Sequence, residues 1–360
     1  MKIEDSWTSQ AAKPSGKLGV GKMKVCICGG GNLGHVIAGY VAAKQGYEVR
    51  LLTRRPQQWG ELTIEKPGGS ETRAGLSLVT DDPQLAVADA DIVLLCLPGY
   101  SIREVLLQIE PYLRPPTAVG SVVSSTGFFF QAMEVLPPDI PLFGLQRVPF
   151  IARVIEYGHR ARLMGYKEEL RVAVEHSSKG EELRSMIEQL LDTPTRLMNN
   201  CYEVSLSNSN PLLHPSRLYD LWADYQPGIV YDCVPLFYEE WTEHAATVYM
   251  EMDGELQQLL AVLPVEQGCV PSVLDYYEST DARSLARKLQ SIEAFKGIKA
   301  PMKAVEGGFV PDFHSRYFTE DFPYGLAVVQ QLAHQKDVAT PMMDRCLGWW
   351  NKIKQKIDDE

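Results

Sequence analysis

The stretch KVCICGGGNLGHVIA, residues 24–38, decides the fold of this chain. An apolar run of strand type ends in Gly29, Gly31 and Gly34, and an amphipathic run follows at once. That is G-x-G-x-x-G set between a strand and a helix. Gly29 permits the tight turn, Gly31 lets the backbone approach a pyrophosphate, and Gly34 lets the helix pack closely on the strand. Asn32 and Leu33 open the helix, whose N-terminus offers N–H groups and a partial positive charge to an anion. A second apolar strand, EVRLLTRR (48–55), follows roughly 20 residues on, where the ribose-binding residue of a dinucleotide domain belongs. The expectation is an α/β Rossmann-type domain. The bland alternative is a glycine-rich turn in some other α/β domain.

The end of that second strand bears on the choice of dinucleotide. An NAD site usually carries Asp or Glu there, whereas this chain has Thr53, Arg54 and Arg55. A carboxylate repels a 2′-phosphate; a guanidinium binds it bidentately and stacks on adenine. NADP(H) is therefore favoured, with NAD(H) still open. The competing reading makes Arg54 and Arg55 ordinary solvated charges.

At 360 residues the chain is longer than one domain usually runs, so two are expected. A net charge of −11 argues against nucleic acid or an anionic membrane as partner. No apolar run approaches the roughly 20 residues that span a bilayer. Residues 1–22 are polar and read as a flexible leader, with folding starting near Met23. The seven cysteines are dispersed, without C-x-x-C or H-x-x-x-H spacing, so a metal site lacks support and a reducing cytoplasm is the natural compartment. Cys26 and Cys28, two apart on one strand, read as small core residues.

After the first β-α-β unit comes a Pro- and Gly-rich loop (55–75), then strands at 76–80 and 90–98. ADIVLLCLP (90–98) is nearly continuous in apolar residues, as a buried parallel strand should be. It ends at Pro98–Gly99, a turn that would line the cofactor. A helix (102–112) leads to the strand TAVGSVVSS (117–125), and Thr126 at its carboxyl end is a candidate substrate contact. Further strands are expected at 141–145, 161–166 and 170–176, extending one doubly wound sheet, with a helix at 181–191. Beyond residue 200 helical periods dominate: 236–262, 281–295, 324–335 and 341–355. The expected organisation is a Rossmann domain over 23–200 followed by an all-α domain over 201–360. Such a pair usually places the substrate in the cleft between them. The long apolar helices suit a homodimer interface or the core of one helical domain.

Two islands in the second half are more polar than packing requires. In SNSNPLLHPSRLY (207–219), Asn210 and His214 stand four apart and share a face if helical, with Pro215 arguing for a bend or helix start. DFHSRYFTEDFPYGL (312–326) sets Asp312, His314, Arg316, Glu320 and Asp321 among aromatics. No lysine occurs between Lys179 and Lys288, where several two-domain dehydrogenases keep a lysine acid or base. His214 is the best available proton carrier, since imidazole titrates near neutrality. Asp321 or Glu320 could fix its tautomer, as in other His–Asp pairs. A hydrogen-bonded core histidine is the equal alternative on the residues alone.

The sequence resembles the opine dehydrogenases, the octopine and nopaline dehydrogenase group, over most of residues 23–340. The resemblance rests on N-P-x-x-H-P (Asn210–Pro215), R-Y-x-T-E-D-x-P-Y-G (Arg316–Gly325) and, more weakly, P-F-x-x-R (Pro149–Arg153). It implies reductive condensation of an amino acid's amine with a 2-keto acid, using NAD(P)H. By position it implies His214 as catalytic acid/base paired with Asp321, and Arg316 as ligand of the keto-acid carboxylate. Asn210 is a further substrate candidate. Two alternatives stay open: a ketopantoate-reductase-like enzyme acting on a simple 2-keto acid without an amine, and a non-catalytic NADP-binding protein.

Overall fold

The computed structural model describes residues 6–10 and 21–358. The chain divides into two compact units, Met1–Ser205 and Leu206–Glu360.

The first unit opens with β1 (Trp7–Thr8), β2 (Met23–Cys28), α1 (Asn32–Ala42) and β3 (Tyr47–Leu52). There follow β4 (Leu62–Glu65), β5 (Glu71–Ala74), β6 (Leu78–Thr80), α2 (Pro83–Val87), β7 (Ile92–Leu95) and α3 (Gly99–Ile109). Then come β8 (Ala118–Ser121), α4 (Phe128–Val135), β9 (Leu142–Leu145), β10 (Phe150–Glu156) and β11 (Arg160–Lys167). The unit closes with β12 (Leu170–Glu175), α5 (Gly180–Leu191), β13 (Thr195–Leu197) and α6 (Cys201–Ser205), whose Cys201 and Val204 lie in its core.

The main sheet has the order β13-β12-β9-β8-β7-β2-β3-β6. From β6 to β9 the strands are parallel, and the order reverses beside β2, as in a dinucleotide-binding sheet. Strand β12 then pairs antiparallel with β9. Cys26 and Cys28 point to the same face, both buried in the core beneath α2, α3 and α4.

A second sheet corrects two expectations. The stretch 161–166 does not extend the main sheet: β11 pairs with β10, β1 and β4, and β4 pairs with β5. The Pro/Gly-rich loop therefore contains a hairpin. In β4 only Leu62 and Ile64 alternate inward, a signal too short to stand out among turn residues. This sheet covers the outer side of α1. A Cβ on Gly39 would lie 2.5 Å from Ile64 Cγ1, so helix and strand touch there through the glycine. Gly34 to Val41 are buried without interruption.

The flexible leader is also corrected in part. Trp7 and Thr8 pair with Lys167 and Tyr166, and the Lys167 ammonium sits 5.0 Å from the Trp7 ring centroid. The leader residues 1–5 and 11–20 lie outside the described residues.

The second unit comprises α7 (Asn210–Trp222), α8 (Glu243–Val262), α9 (Val273–Tyr276), α10 (Ala282–Ser291), β14 (Met302–Val305) and β15 (Gly308–Pro311). It continues with α11 (Arg316–Thr319), a π-helical turn (Phe322–Leu326), α12 (Ala327–Gln335) and α13 (Pro341–Asp358). It is helical but not all-α, because β14 and β15 form a hairpin. Helix α8 starts at Glu243 rather than 236: the Thr242 hydroxyl caps it, accepting from Ala245 N at 2.9 Å. Phe237 and Trp241 are buried from a non-helical segment that happens to share the helical spacing. Pro215 does not start α7. The helix begins at Asn210 and runs through Pro215, forgoing one backbone bond. Helix α8 packs on α7, α10 and α13, and Glu255 caps α13 by accepting from Met342 N (2.6 Å) and Met343 N (3.0 Å).

Candidate active site

In the first unit the carboxyl ends of β2, β3 and β7 frame a cleft of about 370 Å³. Gly29, Gly30, Gly31, Thr53, Arg54, Arg55 and Pro98 line it, joined by Asp81, Tyr100, Glu104 and Tyr157. Gly29 has φ +114°, and a Cβ there would lie 2.6 Å from Cys96 O. At Gly34 a Cβ would lie 2.0 Å from Gly29 O, so the turn and the helix exclude any side chain. Among the described residues nothing approaches Gly31, and no side chain caps α1 there. The bare N–H groups at a helix N-terminus fit a pyrophosphate. Arg54 and Arg55 are exposed, and the Arg55 guanidinium lies 5.7 Å from the Tyr157 ring centroid. Asn32 does not turn its side chain to the cofactor: its Oδ1 accepts from Val154 N at 2.8 Å, tying α1 to β10. Leu33 packs its side chain against the core, leaving only its backbone N–H for a ligand.

Sequence reasoning missed His35, Trp59 and Tyr157. His35 is fully buried, its Nδ1 2.9 Å from Gly31 O and its Nε2 accepting from Gly158 N at 2.7 Å. Nδ1 must therefore carry the hydrogen and the ring must be neutral. Burial lowers its pKa, against the opposing pull of the Gly31 and Gly30 carbonyls. The ring lies on Trp59 (4.1 Å between centroids) and meets Tyr157 edge-on (5.0 Å). It thus joins the glycine turn to the β10–β11 turn that carries Tyr157. A histidine one residue past the third glycine was the available signal.

In the second unit the two polar islands meet. His214 Nδ1 lies 2.8 Å from Asp321 Oδ2. The π turn makes this encounter: Leu326 N bonds Asp321 O at 2.8 Å, and a Cβ on Gly325 would strike Pro211 Cγ at 2.7 Å. Only a glycine lets the turn lie against the start of α7. With Asp321 ionised, Nδ1 carries the proton, and Nε2 accepts from the Tyr238 hydroxyl at 2.9 Å. Tyr317 and Phe237 stand edge-on to the imidazole, at 4.6 and 5.8 Å between centroids. Tyr238 was not foreseen, since its segment offers no polar pattern.

Glu320 is not the partner of His214; it binds the Arg316 guanidinium, whose Nε donates at 2.7 Å. The Arg316 side chain is 74% exposed. Asn210 is exposed, one helical turn before His214. Thr126, in the first unit, is buried, and its hydroxyl has no hydrogen-bond partner among the described residues. Arg217, three residues after His214, is 2% exposed and was also missed. It donates to Asp220 Oδ2 (2.7 Å), Phe237 O (2.9 Å) and Leu236 O (3.4 Å).

Residues 197–354 match the family described as NAD/NADP octopine/nopaline dehydrogenase, alpha-helical domain. Residues 25–125 match ketopantoate reductase PanE/ApbA. Octopine dehydrogenase of Pecten maximus is 28% identical, the match covering 94% of this chain and 91% of that protein. Opine dehydrogenase of Haliotis discus hannai is 29% identical over 92% of this chain and 90% of its own. A solved structure of octopine dehydrogenase with NADH and L-arginine superposes with a TM-score of 0.83, at 27% identity, covering 93% of this chain and 90% of that one. The chain is thus similar over nearly its whole length to octopine and opine dehydrogenases, and it shares the architecture of a Rossmann-like domain followed by a helical domain.

Proposed function

We propose that the protein condenses the amine of an amino acid with a 2-keto acid, reversibly and with NADPH as the favoured reductant. The observation that carries the reading is the 2.8 Å contact between His214 and Asp321, which joins two segments otherwise remote in sequence. Asp321 holds the imidazole in one tautomer and stabilises its protonated form. His214 takes a proton from the ammonium of the amino acid and returns one to the departing water. Arg316 takes the keto-acid carboxylate in exchange for Glu320. Asn210 and Thr126 are further substrate contacts, Thr126 offering a buried hydroxyl that has no partner among the described residues. The bound dinucleotide supplies hydride to the imine carbon.

Arg54 and Arg55 at the end of β3, with no carboxylate there, support the preference for NADPH. Free cysteines throughout suit a cytoplasmic enzyme. The test is NADPH oxidation with pyruvate and a panel of amino acids, each substrate also alone, for wild type and His214→Asn. Turnover requiring both substrates, abolished in the variant, is expected. Oxidation with the keto acid alone would favour the simple reductase that the match of residues 25–125 allows. Tight NADPH binding without turnover on any pair would favour a non-catalytic role.

A further inference from the structure

We infer that Tyr238 lies on the proton path of His214, passing the proton between its Nε2 and the substrate. This rests on His214 being the proton carrier. Both imidazole nitrogens are committed, Nδ1 to Asp321 at 2.8 Å and Nε2 to the Tyr238 hydroxyl at 2.9 Å. A proton leaving the ring on the side away from Asp321 meets the Tyr238 oxygen first.

That oxygen is held in place. The Tyr238 ring stacks on Phe295 (4.0 Å, 17°) and Trp241 (6.0 Å, 7°), and meets Phe237 edge-on at 4.9 Å. The backbone just before it is fixed as well. Arg217 bonds the carbonyls of Phe237 and Leu236, and Phe237 N donates to Ile298 O at 2.7 Å. A ring clamped in this way is a permanent partner of Nε2 rather than a placeholder that substrate displaces. Burial, reinforced by Tyr317, Tyr277 and Asp321, pushes the Tyr238 pKa well above that of an ordinary phenol. The phenolate is thus not an intermediate, and the hydroxyl gives one proton as it takes another.

The step balances in the condensing direction. The amine nitrogen bonds the keto carbon to give a carbinolamine. Its C–O bond then breaks, and the Tyr238 proton joins the leaving hydroxyl as water. The Nε2 proton of the His214 imidazolium replaces it on Tyr238. The nitrogen lone pair closes the C=N bond; histidine ends neutral and tyrosine unchanged. The resulting iminium is reduced by hydride from the dinucleotide, and the oxidative direction runs the relay backwards.

Tyr238→Phe keeps the stacked ring and removes only the hydroxyl. It is assayed with pyruvate and the amino acid giving fastest turnover, beside His214→Asn. The expected result is a fall in kcat of about 100-fold, within the range for general acid–base catalysis, with little change in KM. Wild-type kcat should depend on the deuterium fraction of the solvent along a curve, because two protons move together, and the variant should give a straight line. Loss of activity in His214→Asn with wild-type kcat in Tyr238→Phe would overturn the relay and leave the histidine assignment standing. Faster turnover in Tyr238→Phe would also overturn it, marking the hydroxyl as an obstruction. Retained activity in His214→Asn would remove the histidine assignment and the relay together. Should the phenylalanine variant not fold, 3-fluorotyrosine at position 238 offers the same shape with a more acidic hydroxyl. A single-turnover rate that changes supports the relay, and an unchanged rate overturns it.

Discussion

Replacing Arg217 with Met removes a cation from the interior of the second unit while nearly preserving its volume. Three bonds disappear: one to the Asp220 carboxylate and two to the carbonyls of Phe237 and Leu236. Breaking a buried ion pair from one side costs about 3–5 kcal/mol, mostly through the partner left behind. Asp220 keeps the Thr242 hydroxyl at 2.8 Å and His244 Nδ1 at 2.9 Å, which moves the cost to the lower end. The flexible Met side chain fills the space and adds little cavity penalty. About 3 kcal/mol corresponds to a fall in Tm of roughly 6–12 °C for a domain of this size. Tryptophan fluorescence reads the right unit, since Trp222, Trp241, Trp349 and Trp350 lie in it and only Trp7 and Trp59 precede it. A fall below about 2 °C would refute the reasoning, because the pair would then contribute no more than an exposed one. Freed from its anchors, the segment carrying Tyr238 should also lower kcat at temperatures where the variant is still folded.

Arg54→Asp should weaken NADPH by about tenfold or more, from the loss of charge-assisted bonds of roughly 1.5–3 kcal/mol, while NADH changes far less; equal losses in fluorescence titrations would remove Arg54 from the 2′-phosphate. His35 predicts acid sensitivity of the first unit. Its folded pKa lies below the unfolded value of about 6.5, so its contribution is complete above that pH and is lost as pH falls below it. The wild-type Tm should therefore decline between about pH 7.5 and 5 more steeply than that of His35→Gln, and parallel declines would contradict the neutral, twice-bonded ring.

What was legible in the sequence followed from short-range rules. Glycine spacing fixes the β2–α1 turn whatever surrounds it, and strands buried on both faces, such as β7, leave unbroken apolar runs. The His214–Asp321 pair was reached through two polar islands and the resemblance they carry. The second sheet was not legible, because Leu62 and Ile64 make an alternation only four residues long, and alternation in 161–166 does not say which sheet a strand joins. Tyr238 escaped because its role depends on a neighbour that only the folded chain supplies. Phe237 and Trp241 imitate a helical period because they are buried from a turn that happens to share its spacing. Trp7 and Thr8 read as leader in the sequence because two residues of strand leave no pattern at all.

Helix α1 has no wet side from Gly34 to Val41, since the main sheet covers one flank and β4, β5, β10 and β11 cover the other. A chain emerging from the ribosome makes α1, β2 and the β4–β5 hairpin early, but the part of the cover supplied by β10 and β11, from Phe150 on, arrives much later. Until then an apolar flank of the helix lies bare, an invitation to chaperones or to aggregation. The closing of this layer is a long-range event and should be slow compared with pairing of β2 and β3. A truncated chain ending before β10 should accordingly hold its glycine turn too loosely to retain a dinucleotide. The fingerprint is synthesised well before the strands that complete it as a binding site.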